Sequence, residues 1–139
     1  MIPHLQTGIG CDIEDIDRFS LDRTKDTRFL KRVFTESELD YCFSFQHPAS
    51  HLAARFCAKE AIVKALCSFG RDPVNYAQIE IGNHPSGVPF ATIQPKTESN
   101  ADQGYEIQLS LSHCKTTAMA VAIIYGAPPR ESPNDFSEE

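Results

Sequence analysis

Long hydrophobic runs are missing from this sequence. The longest apolar stretch, around residues 119–125, is far too short to span a bilayer, which takes about 20 apolar residues. The first residues lack the basic start and apolar run of a signal peptide, so we expect a protein that is not secreted. A net charge of −6 over 139 residues also argues against general binding to nucleic acid or to a membrane surface.

Several motifs of well-known enzyme folds are also absent. The sequence contains no Gly-x-x-x-x-Gly-Lys, no Gly-x-Gly-x-x-Gly and no Gly-x-Ser-x-Gly. A nucleotide-triphosphate P-loop and the nucleophile elbow of an α/β-hydrolase are therefore unsupported. No segment of the sequence repeats another.

The cysteines lack the Cys-x-x-Cys spacing, and their number is odd. They stand at positions 11, 42, 57, 67 and 114. This pattern predicts reduced, mostly buried thiols in a cytoplasmic protein rather than a disulfide framework.

The length of the chain suits one domain with a modest core. Residues 127–139 contain three prolines and one arginine against four acids, so they carry half of the net charge and offer little to bury. We therefore expect a single domain over residues 1–126 and an acidic, proline-containing, disordered tail over residues 127–139.

The first half of the chain predicts one strand and three helices. Apolar and polar residues alternate over residues 8–14, which indicates a strand with one apolar face and one bare, acidic face. Residues 20–33 predict a basic helix, and a capping box at 35–38 begins a second helix to about residue 45. Pro48 suits the first turn of a long helix that reaches about Ser68, before Gly70.

The second half predicts strands. Residues 78–81 and 89–93 form a predicted hairpin, residues 96–104 a polar loop, and residues 105–111 and 118–125 two further strands. This order of elements predicts an α+β domain in which a small, mostly antiparallel sheet packs on one long helix.

Two acids on the first strand are candidate metal ligands. Asp12 and Glu14 are two residues apart, so both project from one face of the strand. Gly8 and Gly10 precede them on that face and would let a ligand approach the backbone closely. Two carboxylates in one space repel each other, and a cation relieves the repulsion. From spacing alone, a metal site and an exposed strand with solvated acids explain the pair equally well.

Glu60 and Lys64 lie one turn apart on the long helix, in the order that favours an ion pair. An exposed pair of this kind contributes only about 0.3–0.5 kcal/mol and is common. Here, however, apolar or small residues cover nearly every other side of the helix, and charges in such places are usually paired or bound to an ion. With Asp12 and Glu14, they predict an oxygen-rich pocket for a hard cation beside a lysine, suited to a phosphate or pyrophosphate.

Each of three further basic residues has two possible roles. Arg55 and Lys59 lie elsewhere on the long helix and either reach phosphates or extend towards solvent. His113 ends a strand and either holds a turn or takes up a phosphate.

Four separated segments resemble the 4′-phosphopantetheinyl transferases, most closely the small holo-acyl-carrier-protein synthase type. They are Gly-Ile-Gly-Cys-Asp-Ile-Glu at 8–14, Phe-Thr-Glu-Ser-Glu-Leu at 34–39, the helix at 54–66 with its Lys-Glu-Ala and following lysine, and Leu-Ser-Leu-Ser-His at 109–113. All four occur in the order of the family.

The resemblance implies the phosphopantetheinyl transferase fold and a Mg²⁺-dependent reaction. The phosphopantetheine arm of coenzyme A would move to a serine of an apo acyl carrier protein, releasing adenosine 3′,5′-bisphosphate. Asp12 and Glu60 would be the principal Mg²⁺ ligands, with Glu14 a third acid. Lys64 would stabilise the breaking pyrophosphate, and Glu60 or a metal-bound water would take the serine proton. The coenzyme A-binding residues would be Arg55, Lys59, Lys64, Gly87, Pro89 and His113.

The expected partners are coenzyme A, an acidic carrier protein and further copies of the chain. Residues 18–32 hold six basic side chains and two acids, a local charge of +4. Most charge runs are solvated helix faces, but with the resemblance we favour carrier docking by Arg18, Arg28 and Lys31. Larger relatives place the site between two fused copies, so the resemblance implies a homotrimer with sites at subunit interfaces.

Two departures from the family pattern concern the substrate. The usual Gly-Thr-Gly turn after the signature helix is replaced by Cys-Ser-Phe-Gly-Arg at 67–71, and Val88 stands where a lysine is usual. A carrier other than that of fatty-acid synthesis therefore stays open. Two other functions are a non-catalytic homologue that binds coenzyme A or a carrier, and a Mg²⁺-dependent phosphohydrolase or sugar-kinase fragment. For the latter the chain is short and lacks a second glycine loop.

Overall fold

The computed structural model describes residues 6–94 and 104–126. In chain order the elements are β1 (Gln6–Asp15), a 3-10 turn (Ile16–Phe19), α1 (Thr27–Val33), α2 (Glu36–Phe43), α3 (Pro48–Phe69), a second 3-10 turn (Tyr76–Gln78), β2 (Ile79–Asn83), β3 (Pro89–Ile93), β4 (Tyr105–His113) and β5 (Thr117–Gly126). Strand β5 lies between β1 and β4 in an antiparallel sheet, and β2 and β3 form a separate antiparallel hairpin. The predicted α+β fold is confirmed.

Helix α3 forms the centre of the core, packed on β1 and β5. It begins with Pro48 in its first turn and ends at Gly70, whose φ of 96° is left-handed and suits glycine. Its alanines at 53, 58, 61 and 65 are fully buried. These small side chains allow the sheet to approach the helix backbone closely.

Strand β1 meets α3 through its glycines. A Cβ atom at Gly10 would collide with the backbone oxygen of Ala61, and one at Gly8 with that of Ala65. The glycine face, expected to be open to a ligand, therefore packs against α3. The apolar face is the one turned outwards, with Ile9 61% and Ile13 69% exposed. The expected alternation of residues along β1 is correct, but α3 rather than a ligand packs against the two glycines.

The predicted basic helix over residues 20–33 is wrong in its first half, because α1 begins only at Thr27. The carboxylate of Asp22 accepts hydrogen bonds from the backbone N–H groups of Thr24 and Lys25, at 2.8 and 3.0 Å. Such local side-chain bonds compete with helix formation and favour a turn.

A buried ion pair ties α2 to α3. Nζ of Lys59 lies 2.6 Å from Oε1 of Glu38, and the two side chains are 0% and 1% exposed. Glu38 also completes the predicted capping box, since it accepts a hydrogen bond from the backbone N–H of Thr35 at 2.8 Å. The Lys59 ammonium also lies within hydrogen-bond distance of the carbonyl oxygens of Val33, Tyr76 and Ile79, and Oε2 of Glu38 accepts from the backbone N–H of Ile81. One pair of charges thus joins five segments of the chain.

The five cysteines are free thiols, as expected, but they are not mostly buried. Cys42 and Cys57 are buried, whereas Cys11, Cys67 and Cys114 are exposed. Within the described residues, no helix has the length and apolar character needed to cross a membrane. Most of the loop expected over 96–104 and all of the tail expected over 127–139 lie outside the described residues, so the predicted domain boundary stays a prediction.

Candidate active site

The contact between β1 and α3 gathers three carboxylates and one lysine. Asp12 and Glu14 follow Gly10 on the face of β1 that packs against the helix, and Glu60 and Lys64 occupy consecutive turns of α3. Burial raises the pKa of Glu14, and the negative charges of Asp12 and Glu60 add to this shift. The three acids predicted from sequence to lie together are therefore close enough in the fold for Asp12 and Glu60 to interact electrostatically with Glu14.

Lys64 binds the strand instead of its helical neighbour. Its ammonium lies 3.0 Å from the carbonyl oxygen of Cys11 and 3.4 Å from Oδ1 of Asp12. Within the part of the chain that the structure describes, no ion pair joins Lys64 to Glu60, although their spacing favours one. The lysine is thus placed beside the carboxylate of Asp12, at the edge of the acidic cluster.

Asp12 has one oxygen left for a cation. Its Oδ2 atom is buried and has no hydrogen-bond partner among the described residues. A buried carboxylate oxygen without a donor is costly, and a hard cation would satisfy it. Mg²⁺ suits such a donor set, because it is commonly bound by one or two carboxylates together with substrate phosphates and water.

Glu14 is engaged differently. Its Oε2 accepts a hydrogen bond from Arg18 at 2.7 Å, and the ion pair links the acidic cluster to an exposed guanidinium. Among residues 6–94 and 104–126, no group of three or more His, Cys, Asp or Glu side chains is arranged to hold a metal. Arg18 therefore occupies one carboxylate oxygen of Glu14, and the assignment of Asp12, Glu14 and Glu60 as metal ligands stays a prediction.

Glu60 is held by a tyrosine that the sequence did not reveal. The hydroxyl of Tyr76 donates to Oε1 of Glu60 at 2.6 Å. Burial, together with this hydrogen bond, raises the pKa of Tyr76 to about 12, so the hydroxyl stays protonated and donates at neutral pH. Tyr76 lies in the 3-10 turn that follows α3, and only the return of the chain after Gly70 brings it to the helix.

Arg55, Gly87 and Pro89 lie in one region of the fold, and their assignment to coenzyme A stays a prediction. The buried guanidinium of Arg55 donates to Oδ1 of Asn83 at 2.9 Å and stacks 4.0 Å from the centre of the Tyr41 ring. The Asn83 amide in turn donates to the carbonyl oxygen of Gly87, in the turn between β2 and β3 that ends at Pro89. Nε of Arg55 has no partner among the described residues.

His113 lies at the end of β4, beside an open cavity of about 410 Å³. The cavity is lined by Ile16, His47, Ala49, Ser50, His113, Cys114 and Lys115. Burial lowers the pKa of His51, one turn along α3, and the charges of Arg55 and His113 contribute to the shift. The cavity is basic, but its lining does not include Asp12, Glu60 or Lys64.

Lys59 is not in the site. Its ammonium is fully buried and already lies within hydrogen-bond distance of Glu38 and three backbone carbonyls. The expectation that Lys59 binds a phosphate of coenzyme A is therefore contradicted, because all of its donors are engaged inside the core.

Comparison with known proteins agrees with this geometry. A sequence model described as the 4′-phosphopantetheinyl transferase superfamily matches residues 8–122. The chain belongs to the 4′-phosphopantetheinyl transferase superfamily. The resemblance seen in the four motifs is thereby confirmed, and so is the predicted enzyme class.

Curated relatives and solved structures match most of this transferase. The holo-[acyl-carrier-protein] synthase of Protochlamydia amoebophila is 42% identical over 118 residues, which are 84% of this chain and 95% of the relative. That of Geotalea daltonii is also 42% identical, over 120 residues, 84% of this chain and 96% of the relative. A crystal structure of a holo-(acyl-carrier-protein) synthase from Bacillus anthracis, in complex with CoA (3′,5′-ADP), matches with a TM-score of 0.69 and 28% identity over 88% of this chain and 99% of that one.

The basic side chains of residues 18–32 are only partly available for docking to a carrier protein. Arg23 is bound by Glu36 and Asp40, at 2.9 and 2.5 Å, which neutralises it. Arg28 and Lys31 lie exposed on α1. Arg18 is also exposed, and it forms an ion pair with Glu14 of the acidic cluster at 2.7 Å.

Proposed function

We propose that this transferase is a holo-[acyl-carrier-protein] synthase. It would move the 4′-phosphopantetheine arm of coenzyme A to a serine of an apo acyl carrier protein and release adenosine 3′,5′-bisphosphate. The observation that carries the proposal is the meeting of Asp12, Glu60 and Lys64 where β1 packs on α3. Relatives 42% identical to this chain bear the same activity in their names, and one matched structure holds coenzyme A.

Asp12 and Glu60 would hold one Mg²⁺, for which the unpartnered Oδ2 atom of Asp12 is the clearest support. When bound, Mg²⁺ neutralises charge on the pyrophosphate of coenzyme A and fixes its orientation. The lysine then has a separate task. The Lys64 ammonium, fixed by Asp12 and the Cys11 carbonyl, would stabilise negative charge as the pyrophosphate breaks.

The serine oxygen of the carrier would attack the β-phosphorus of coenzyme A. A new bond forms between that oxygen and phosphorus, the bond to the bridging oxygen breaks, and adenosine 3′,5′-bisphosphate leaves with the bonding electrons. The serine proton would pass to Oε1 of Glu60, the oxygen that accepts the Tyr76 hydroxyl and keeps a second lone pair, while Oε2 would be left for the metal. This assignment keeps the proton acceptor and the charged lysine on neighbouring turns of one helix.

Coenzyme A would be bound by Arg55, His113 and the turn that holds Gly87 and Pro89. The charges of Arg55 and His113 both act on His51 of α3, so the two side chains lie in one region, and the unpartnered Nε of Arg55 would donate to a phosphate oxygen. The basic cavity beside His113 and the acidic cluster are not enclosed together within the described residues of one chain. A neighbouring subunit would supply the missing wall.

A homotrimer is the assembly that we propose, with its number of subunits taken from the family resemblance. The outer face of the sheet supports an interface, since four large apolar side chains lie on it: Ile9, Ile13, Met119 and Ile123. They form neighbouring pairs, because Ile9 lies opposite Ile123 and Ile13 opposite Met119. A continuous exposed apolar face of this kind marks a protein interface.

Two further assignments belong to the proposal. Arg18, Arg28 and Lys31 would attract the acidic carrier protein to the site. The five free thiols support a reducing compartment, and we place the enzyme in the cytoplasm.

Incubation with coenzyme A, Mg²⁺ and a panel of apo carrier proteins tests the proposal by intact mass. A carrier that gains the mass of one phosphopantetheine arm supports it and also names the substrate. Binding of coenzyme A with no transfer to any carrier would instead favour the non-catalytic homologue. Asp12→Asn, assayed in parallel, should lose the Mg²⁺-dependent reaction.

A further inference from the structure

Tyr76 is fixed at both ends. Its backbone carbonyl oxygen accepts a hydrogen bond from Lys59 at 2.9 Å, and its hydroxyl donates to Glu60 at 2.6 Å. Its ring packs against Phe56, with the ring centres 5.7 Å apart. Because Lys59 and Glu60 are consecutive residues of α3, one turn of the helix holds both the backbone and the hydroxyl of this tyrosine. The hydroxyl is therefore held in place and not merely near the carboxylate.

The hydrogen bond occupies one of the two oxygens of Glu60. Oε1 accepts the tyrosine hydroxyl, which leaves Oε2 for a cation. The number of oxygens that a carboxylate offers matters for the choice of ion. Ca²⁺ takes six to eight oxygen ligands in flexible geometry and often binds a carboxylate through both oxygens. Mg²⁺ demands octahedral geometry with shorter bonds, so a carboxylate that offers one oxygen suits it better.

We propose that Tyr76 is a positioning residue that makes Glu60 a one-oxygen ligand and thereby favours Mg²⁺ over Ca²⁺ at this site. The inference rests on the proposed function in one respect, namely that Asp12 and Glu60 hold the ion. It goes beyond that function because it assigns ion selectivity to a residue outside the four motifs. Residues that orient metal ligands through hydrogen bonds commonly change metal affinity by about 10- to 100-fold when removed.

The test is the affinity of Tyr76→Phe for two ions. This substitution removes the hydroxyl and keeps the ring that packs on Phe56. Mn²⁺ is bound to the full-length protein with coenzyme A present, and its displacement by Mg²⁺ or by Ca²⁺ is followed by electron paramagnetic resonance. We expect the Mg²⁺ affinity of the variant to fall about 10-fold. The Ca²⁺ affinity should fall less or rise, so that the ratio of the two affinities shifts towards Ca²⁺.

A matched control is available at the surface. Tyr125 of β5 donates to Oε2 of Glu106 on β4 at the same distance of 2.6 Å, and this hydrogen bond is exposed to solvent. Tyr125→Phe removes an equivalent hydrogen bond and should leave both ion affinities at the wild-type values. Circular dichroism reports the folding of each variant, and Tyr76→Leu, which also lacks the hydroxyl, replaces Tyr76→Phe if that variant does not fold.

The outcomes separate this inference from the proposed function. Equal or unchanged shifts for Mg²⁺ and Ca²⁺ in Tyr76→Phe would overturn the selectivity role, because a purely structural role would affect both ions alike. If Asp12→Asn abolishes Mn²⁺ binding in that same experiment, the proposed metal site stands while the inference fails. If Asp12→Asn binds Mn²⁺ as the wild type does, the metal site is wrong and the inference fails with it.

Discussion

Lys64 and Asp12, 52 residues apart in the chain, meet at a distance of 3.4 Å where β1 packs on α3. The glycine at position 10 makes this meeting possible, because any larger side chain there would collide with the helix backbone. The acidic end of β1 is thus brought to the helix that carries Glu60. The candidate active site depends on how closely a strand and a helix can pack.

Gly10→Ala should therefore damage both stability and activity. The added methyl group has no space beside Ala61, and over-packing of this kind costs about 1–3 kcal/mol. Urea unfolding measures the loss in stability, and the transfer assay measures the displaced Asp12. Cys67→Ala, at an exposed position of α3, is the control and should unfold close to the wild-type midpoint. An equally stable Gly10→Ala variant would contradict the packing described for β1.

Glu60→Gln should lose at least about 100-fold in transfer rate while the fold is retained. The amide keeps the size of the side chain but neither takes a proton nor offers a charged oxygen to Mg²⁺. Intact mass of the carrier gives the rate, and thermal melting gives the stability. Glu106→Gln, in the exposed pair with Tyr125, is the matched control and should transfer at the wild-type rate. Full activity in Glu60→Gln would exclude Glu60 from the mechanism.

Lys59→Met should destabilise the protein by about 3–5 kcal/mol, because it leaves the buried carboxylate of Glu38 without its partner charge. Unfolding in urea provides the measurement. Adding Glu38→Gln to Lys59→Met should recover part of the loss, since the second change removes the uncompensated charge. No recovery in the double variant would show that packing, and not the ion pair, determines the effect.

Charge reversal on α1 tests carrier docking. The double variant Arg28→Glu/Lys31→Glu should raise the KM for the carrier protein about tenfold at low ionic strength, because association is steered by charge. The KM for coenzyme A should stay at the wild-type value, since both side chains are exposed on α1 and outside the cavity beside His113. Steady-state kinetics with each substrate varied in turn distinguishes these effects. An unchanged carrier KM would mean that α1 is simply a solvated face.

A charge on the outer face of the sheet should break the proposed trimer. Ile13→Asp places a carboxylate in the exposed apolar face, and sedimentation should then show a smaller species. Phe29→Asp is the control, because Phe29 is 40% exposed on α1 and does not belong to the sheet. A wild-type assembly in Ile13→Asp would place the interface elsewhere.

The sequence predicts where the helices and strands of this fold begin and end better than it predicts which elements pack against each other. Pro48, Gly70 and the capping box at Thr35 define helix ends through local chemistry, and the structure has them as expected. The alternation over β1 is equally local, but it does not say which face is covered. Only the fit of the glycines to the alanines of α3 decides that, and this fit depends on contacts distant in sequence.

The same limit applies to the site. Asp12 and Glu60 are selected as metal ligands by the match of their segments to the family motifs, because spacing alone leaves a metal site and solvated acids equally good explanations. For Arg55 and Lys59, the sequence allows either contact with a phosphate or extension towards solvent. Only tertiary packing shows that the Lys59 ammonium is bound inside the core and that Nε of Arg55 has no partner among the described residues. Tyr76 carries no local signal, since its contact with Glu60 is made after the chain turns back from α3.

The position of Lys64 also bears on the solubility of the protein. Within residues 6–94 and 104–126, β1 has β5 as its single strand neighbour, so its other side presents unpaired backbone groups. Lys64 binds the Cys11 carbonyl there, and the Ser68 hydroxyl accepts from the Ile9 N–H at 3.2 Å. Covered edges resist the addition of a strand from another molecule. The ammonium that we propose to stabilise the breaking pyrophosphate therefore also protects the edge of the sheet against aggregation, and we expect a variant that loses it to fall in yield as well as in turnover.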